Sequence, residues 1–246
     1  MSRYDFAAQR LYVEADLAGG GTVACTPAQT NYLRNVLRLK AKATVLVFNG
    51  RDGEWRAELL DLGKRAAGLL VGARLREQEG GPDIDYLFAP LKRARLDYMV
   101  EKAAEMGVAR LRPVLTRRTV AERVNLERMR AHAIEAAEQC GILRIPEVHA
   151  PEQLGRVMAA WDPARPLVFC DEDSDEACPF TALARIKPGP VAVLIGPEGG
   201  FDPPERELLS SQPFVARISL GPRILRADTA AVAALALVNA VLGDWR

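Results

Sequence analysis

The chain has 246 residues, enough to bury one large core or two small ones. Hydrophobic residues make up 49% and charged residues 26%, as in an ordinary soluble globular protein, and no apolar run is long enough for a transmembrane helix. The formal net charge of +1 hides a segregation: residues 1–42 carry six basic and three acidic groups, residues 92–144 carry twelve and seven, and the remainder is acidic.

The opening segment, MSRYDFAAQRLYVEAD, has no apolar secretory stretch and places Asp5, Glu14 and Asp16 early, which argues for a cytoplasmic protein. Cys25, Cys140, Cys170 and Cys178 show neither a C-x-x-C pair nor disulfide-rich spacing, and only His132 and His149 could assist them. A zinc site is therefore not expected, and the thiols fit a reducing compartment. Of the 33 basic residues 27 are Arg, the side chain suited to bidentate phosphate contact, although a compositional bias toward Arg and Ala accounts for part of that.

The first seventy-odd residues read as short strands separated by turns. RLYVEA at 10–15 alternates, VLVFNG at 45–50 ends in a turn, EWRAELLDL at 54–62 follows at hairpin distance, and LLVGARLRE at 69–77 closes the set. Between the first two strands, TPAQTNYLRNVLR predicts a short helix with Thr26 as its cap and Pro27 in its first turn. This is a small, mostly β, barrel-like module over 1–76. The mixed Gly, Pro and charge of EQEGGPD at 77–83 marks the best boundary on the chain, so the second domain is expected to run over 77–246.

Beyond it the periodicity changes. IDYLFAP at 84–90 is a strand, RLDYMVEKAAEMG at 95–107 has helical spacing closed by Gly107, LRPVLT is a strand, and NLERMRAHAIEAAEQCG at 125–141 is a longer amphipathic helix. PLVFCDE at 166–172 and VAVLIGPEGG at 191–200 have the continuous apolar character of parallel strands. PERELLSS, VARISLG and ADTAAVAALALVNAVLG complete an alternation that predicts an α/β domain with helices on both faces of its sheet.

In open α/β sheets, ligands gather at the carboxyl ends of the strands. Two loops fall there: IGPEGGF at 195–201 and LGPRILRADTA at 220–230. Gly196, Gly199 and Gly200 allow a tight turn and close approach of backbone to a flat or polar ligand. Neither loop is G-x-G-x-x-G and no G-K-[ST] is present, which disfavours a dinucleotide or ATP.

Together, GPEGGF at 196–201 and SLGPRILRADTAAVAAL at 219–235 resemble the cofactor signature of the SPOUT-class methyltransferases. More narrowly, they resemble the family that methylates N3 of a uridine in small-subunit (16S) ribosomal RNA. YLRNVLR at 32–38, LKRARLDYMVEKAAEMGV at 91–108 and AAEQCGILRIPEV at 136–148 agree, so the resemblance spans nearly the whole chain. It implies an N-terminal PUA-like β-barrel, a SPOUT α/β domain with a deep C-terminal trefoil knot, S-adenosylmethionine as methyl donor, and a homodimer with its active site near the subunit interface. No physical prior leads to the knot. The resemblance also implies that the backbone around Leu194, Gly196, Gly199 and Gly200 holds the cofactor, and that Ser219, Leu220, Gly221, Ile224, Leu225 and Arg226 wrap it.

Some positions depart from the family pattern. The usual Thr-Glu-Thr-Ala after ILR is Ala227, Asp228, Thr229 and Ala230 here, one methylene shorter at the carboxylate, so its partner must sit closer or bind through water. The usual EQS-x-R helix end reads Glu138, Gln139, Cys140, Gly141 and Ile142, with Arg144 as the candidate replacement for the guanidinium. The compact Arg-Phe start is loosened to Arg3, Tyr4, Asp5, Phe6 and then Arg10, Leu11, Tyr12.

Methylating N3 of uridine requires loss of its proton and stabilisation of negative charge on the ring. Glu198 is one candidate acceptor, directly or through water; the competing role is a structural carboxylate capping its own loop. Arg226 is the best candidate for stabilising the uracil anion, against an ion pair with Glu198 or Asp228, and Asp228 reads as a helix cap or ion-pair partner. Arg34 and Arg38, four apart on a short basic helix, together with Arg10, Arg93 and Arg95, are candidate RNA contacts. Tyr4, Phe6, Tyr12 and Tyr32 are stacking candidates for an extruded base, each more often a core residue. His132 and His149 read as structural. The rival to an enzyme is a non-catalytic ribosome-assembly factor that binds RNA through the barrel; within the enzyme class it is a relative acting on another rRNA or tRNA nucleotide. The resemblance implies small-subunit rRNA as substrate, free or in the assembled 30S particle, with the particle favoured because a folded site is read by shape and backbone.

Overall fold

A computed structural model describes residues 8–61, 66–120, 123–174 and 178–245. The chain forms two compact units, residues 1–80 with 137–145, and residues 81–136 with 146–246.

The first unit is a five-stranded sheet in the order β1-β3-β4-β5-β2, where β1 is Arg10–Tyr12, β2 Thr22–Ala24, β3 Thr44–Phe48, β4 Glu54–Asp61 and β5 Ala67–Arg76. β3, β4 and β5 run antiparallel as hairpin neighbours, while β1 joins β3 in parallel. All five strands send side chains into one core, among them Leu11, Val23, Val47, Ala57 and Leu69, so the sheet curls around a common centre. Leu33 plugs that centre from the helical segment. That segment is α1, Pro27–Asn31, whose Thr26 forms a reciprocal capping box with Gln29, followed by a π-helical turn over Tyr32–Val36.

The run VLVF in β3 is buried at every position because the strand is covered on both sides. Val45 and Val47 face the core of the barrel, and Phe48 faces the opposite way, against Ala137 and Leu143. Residues 137–145 therefore belong to the first unit, so the unbroken 77–246 domain expected from the sequence is interrupted. Backbone-directed bonds hold the segment: Tyr12 N–H donates to Glu138 Oε1 at 2.8 Å, and Arg76 Nη1 donates to the Gly141 carbonyl at 2.9 Å. The altered helix end at 138–142 thus serves this packing.

The second unit is a parallel sheet in the order β12-β10-β11-β6-β7-β8, with β9 on β7. The strands are β6 Ile84–Phe88, β7 Arg110–Leu115, β8 Glu147–Val148, β9 Glu152–Gln153, β10 Leu167–Cys170, β11 Val191–Ile195 and β12 Val215–Ile218. The helices are α2 Arg93–Glu105, α3 Leu126–Cys140, α4 Leu154–Ala159, α5 Pro179–Ala184, α6 Pro203–Ser210 and α7 Ala227–Val241. One face of the sheet buries Leu87, Val114, Leu167, Phe169 and Leu194 against α4 and α6. The other packs against α2 and α7, and there the Tyr86 hydroxyl donates to Met99 Sδ at 3.0 Å. Both faces are covered, which is why these strands read as unbroken apolar runs. β2, β9, α4 and α5 were not anticipated; each spans six residues or fewer, too short for its periodicity to stand out.

Arg10, expected to reach RNA, is instead 5% exposed, and its Nε donates to the buried Glu54 carboxylate at 2.9 Å. Removing one partner of such a pair strands the other charge in the core. Glu54→Ala is therefore expected to cost about 3–5 kcal/mol, read as a lower urea midpoint for the first unit's transition, with Glu54→Gln intermediate.

Candidate active site

The strand order sets β10 between β11 and β12, so three loops leave the same edge side by side. They enclose a cavity of about 450 Å³, lined by Cys170–Glu172 after β10, Ile195–Phe201 after β11 and Ser219–Ala227 after β12, with Arg95 from α2. The two loops expected from the sequence are here. The third, with Asp171 and Glu172, was visible as the strand PLVFCDE but its acidic end was not recognised as part of a site.

Gly196, Gly199, Gly200, Ser219, Leu220, Gly221, Ile224, Leu225 and Arg226 all line the cavity. Leu194 does not: its side chain is fully buried among Phe169, Phe201 and Leu209, and the lining begins one residue later. Alternation along β11 explains the correction. The glycines also differ in purpose. A Cβ on Gly196 would sit 2.4 Å from the Phe201 ring, so that glycine is required by the core beneath the loop rather than by a ligand above it. Gly200 has φ +68° and closes the turn by donating its N–H to the Pro197 carbonyl at 2.9 Å. A Cβ on Gly199 would meet only Arg118, at ordinary contact distance.

Arg95, expected to contact RNA, is committed inside the site. Its Nε and Nη2 donate to the two oxygens of Asp228 at 3.0 and 3.1 Å, and its Nη1 pairs with Glu198. One guanidinium thus ties the β11 loop to the start of α7. Because the fork reaches Asp228 directly, the shorter carboxylate needs no bridging water. The Arg95 bonds, helped by the Thr229 N–H, hold the Asp228 carboxyl below its usual range. Of the two roles considered for Asp228, the structure has the ion pair. Glu198 is about half exposed and its partner is Arg95.

Arg226 caps α7 without a side-chain cap bond, is exposed, and has no carboxylate partner among the described residues. The ion pairs weighed for it from the sequence are made by Arg95. At the other wall, Asp171 is buried and accepts from Arg217 at 2.8 and 3.0 Å, with Arg206 Nη1 at 3.2 Å. Burial, reinforced by the Asp171 charge, pushes the Cys170 thiol far up, so it stays neutral and non-nucleophilic.

Arg34 is half-buried in the π-helical turn and Arg38 follows it with φ +54°, so the shared helical face read from their spacing does not form. Arg93 is exposed at the first position of α2. Tyr12 stacks edge-on against Phe48, a core role; Tyr32 packs against the barrel core; Tyr4 and Phe6 lie outside the described residues. His132 lies between Glu101, 2.7 Å from Nδ1, and Asp97, 3.4 Å from Nε2, and His149 is 3.3 Å from Glu147. Both have the structural placement read for them.

Residues 79–239 match the RNA methyltransferase domain family, and residues 26–69 match the RNA methyltransferase PUA domain. The chain belongs to the RNA methyltransferase family. It is 34% identical to the ribosomal RNA small subunit methyltransferase E of Synechocystis, covering 96% of this chain and 78% of that one. It is 29% identical to the enzyme of the same name from Rickettsia conorii over 94% of each. The crystal structure of a ribosomal RNA small subunit methyltransferase E from Neisseria gonorrhoeae bound to S-adenosylmethionine superposes with a TM-score of 0.85 at 26% identity, covering 97% of this chain and all of that one. The architecture is accordingly an N-terminal PUA domain followed by a SPOUT-class α/β methyltransferase domain, and the enzyme is an S-adenosylmethionine-dependent RNA methyltransferase.

The cavity suits that cofactor. Its lining mixes apolar groups with carboxylates and guanidiniums, as a flat adenosine joined to a zwitterionic amino acid requires. The glycine environments separate folding from binding. Gly196→Ala forces the Phe201 ring aside and is expected to cost about 1–3 kcal/mol and to lose cofactor affinity. Gly199→Ala is expected to melt within a degree or two of wild type. Paired thermal melts and S-adenosylmethionine calorimetry check both.

Proposed function

We propose that this methyltransferase transfers the methyl group of S-adenosylmethionine to N3 of one uridine in small-subunit (16S) ribosomal RNA, acting in the cytoplasm on the assembled 30S particle. The observation that carries the reading is the three-loop cavity, whose lining includes nearly every residue of the cofactor signature, in a chain related end to end to small-subunit rRNA methyltransferases.

When bound, the cofactor supplies an already activated methyl group. The protein must seat the donor, orient the base and manage the charge left when the N3 proton departs. Gly196, Gly199 and Gly200 with Ser219, Leu220, Gly221, Ile224, Leu225 and Arg226 hold the donor, and Leu194 contributes as the strand that carries the loop. Arg226, exposed on the cavity wall with its N–H groups uncommitted, stabilises the uracil anion. Glu198 accepts the N3 proton, directly or through water. Its pairing with Arg95 orients it toward the cavity wall it lines. Arg34, Arg38 and Arg93 contribute RNA backbone contacts.

Purified protein given labelled S-adenosylmethionine and unmethylated small subunits is expected to yield a single N3-methyluridine by nucleoside mass spectrometry. Another methylated nucleotide would replace the uridine assignment, and tight RNA binding without transfer would make the protein an assembly factor. Arg226→Ala is expected to lower kcat by about 10²–10³, and Glu198→Gln to lower kcat with cofactor affinity retained.

A homodimer completes this reading. The face of α7 opposite the sheet presents Ala233, Ala236, Leu237 and Ala240 at helical spacing. Pro179, Leu220 and the half-exposed Trp245 extend it into an apolar groove, and Phe180 and Ile224 add exposed apolar surface. Ala236→Arg is expected to convert a dimer to a monomer in sedimentation equilibrium and to reduce methyl transfer with it.

A further inference from the structure

Many arginines of the second unit are neutralised where they stand. Arg110, Arg112 and Arg165 meet Asp83 and Asp85; Arg128 meets Asp97; Arg117 meets Asp202. Within the cavity every carboxylate is matched as well: Asp171 by Arg206 and Arg217, Glu172 by Arg206, Glu198 and Asp228 by Arg95. Two guanidiniums lining the cavity and one beside it break this pattern. Arg118, Arg223 and Arg226 are exposed and have no carboxylate partner among the described residues.

The charge left over at the mouth is therefore positive, and its complement is an anion. Arg118 follows β7 in a loop fastened by Thr116 and Thr119, where the Thr116 N–H donates to the Thr119 hydroxyl at 2.8 Å. Its side chain lies over Gly199 and donates from Nη1 to the Gly199 carbonyl at 2.7 Å. One bond to a neutral carbonyl leaves the charge uncompensated and four N–H groups free, while aiming the fork over the rim. Arg223 stands on the loop between β12 and α7 and lines the cavity, while Arg118 reaches the β11 loop from outside it through Gly199.

We propose that Arg118 and Arg223 hold the phosphates flanking the methylated nucleotide, leaving Arg226 to the base; this rests on the function proposed above. A base taken out of its stack enters a pocket while its own phosphates stay at the rim, where planar guanidiniums bind them bidentately. The other anion with the same chemistry is the carboxylate of the methyl donor. Arg118 does not line the cavity, which places it with the phosphates.

The test compares wild type with Arg118→Ala, Arg223→Ala, the double variant and the two Lys replacements. Three quantities are read: affinity for unmethylated small subunits across a salt series, affinity for S-adenosylmethionine, and methyl transfer. Each Ala variant is expected to weaken subunit binding severalfold and to lower the log–log salt slope by about one, with cofactor affinity unchanged within twofold. The Lys variants keep the slope and recover part of the affinity, which also excludes misfolding as the cause. An unchanged salt slope in the double variant overturns the proposal, and so does lost cofactor affinity with subunit binding intact. Methylation by wild type at another nucleotide would overturn the uridine assignment and not the rim, which the salt slope judges separately.

Discussion

The site depends on the placement of β10 between β11 and β12. In a parallel sheet every strand delivers its carboxyl end to the same edge, and here the three ends are level. Phe169 stands opposite both Leu194 and Arg217, and Cys170 opposite Ile218. Three loops that are distant in sequence must therefore share one patch. The β10 loop brings Asp171 and Glu172, the β11 loop brings the glycines and Glu198, and the β12 loop brings Arg223 and Arg226. Four carboxylates in one patch would repel one another without counter-charges. The guanidiniums of Arg95, Arg206 and Arg217 answer that problem, and each is held by two or more acceptors.

Arginine rather than lysine suits these positions because one planar group can bond two acceptors in different directions. Arg95 uses one edge of its fork for both oxygens of Asp228 and the remaining Nη1 for Glu198. A lysine at this position would be a point charge drawn toward one loop or the other. The tie also explains how an Asp serves where the family pattern it resembles has Glu. Asp228 sits in the first turn of α7, and Arg95 projects from a helix that packs directly against α7, so the longer reach is not needed.

Legibility from the sequence followed the length of the signal. Long periodic runs such as 95–107, 125–141 and 227–243 read correctly as helices, and unbroken apolar runs such as VAVLI read correctly as sheet interior. Four short elements, β2, β9, α4 and α5, were too brief for their periodicity to stand out. The errors among charged residues share one cause. Arg10 and Arg95 carry the same local marks as an RNA-contacting arginine, and only the fold reveals Glu54 lying 44 positions from one and Asp228 lying 133 positions from the other. For the same reason the ion pairs considered for Arg226 went to Arg95. The segment 137–145 was read as part of the α/β domain because its helix begins there; its attachment to β3 is written in VLVF, whose lack of alternation demands cover on both faces. Gly196 was legible as a glycine that matters but not for its reason, since the Phe201 ring beneath it is a tertiary neighbour.

α7 joins these threads. Its first turn walls the cavity through Ala227 and Ala230, and its buried side packs Ala231, Ala234, Leu235 and Val238. Its remaining side is apolar as well, which a helix facing only water does not require. The loop that precedes it carries Ile224, almost fully exposed although it lines the cavity. A second copy seated on that face would therefore meet the same loop that lines the cavity. Two binding events that stabilise one conformation of a shared element must reinforce each other by linkage. Cofactor would then tighten such a dimer by the same factor by which the dimer tightens cofactor.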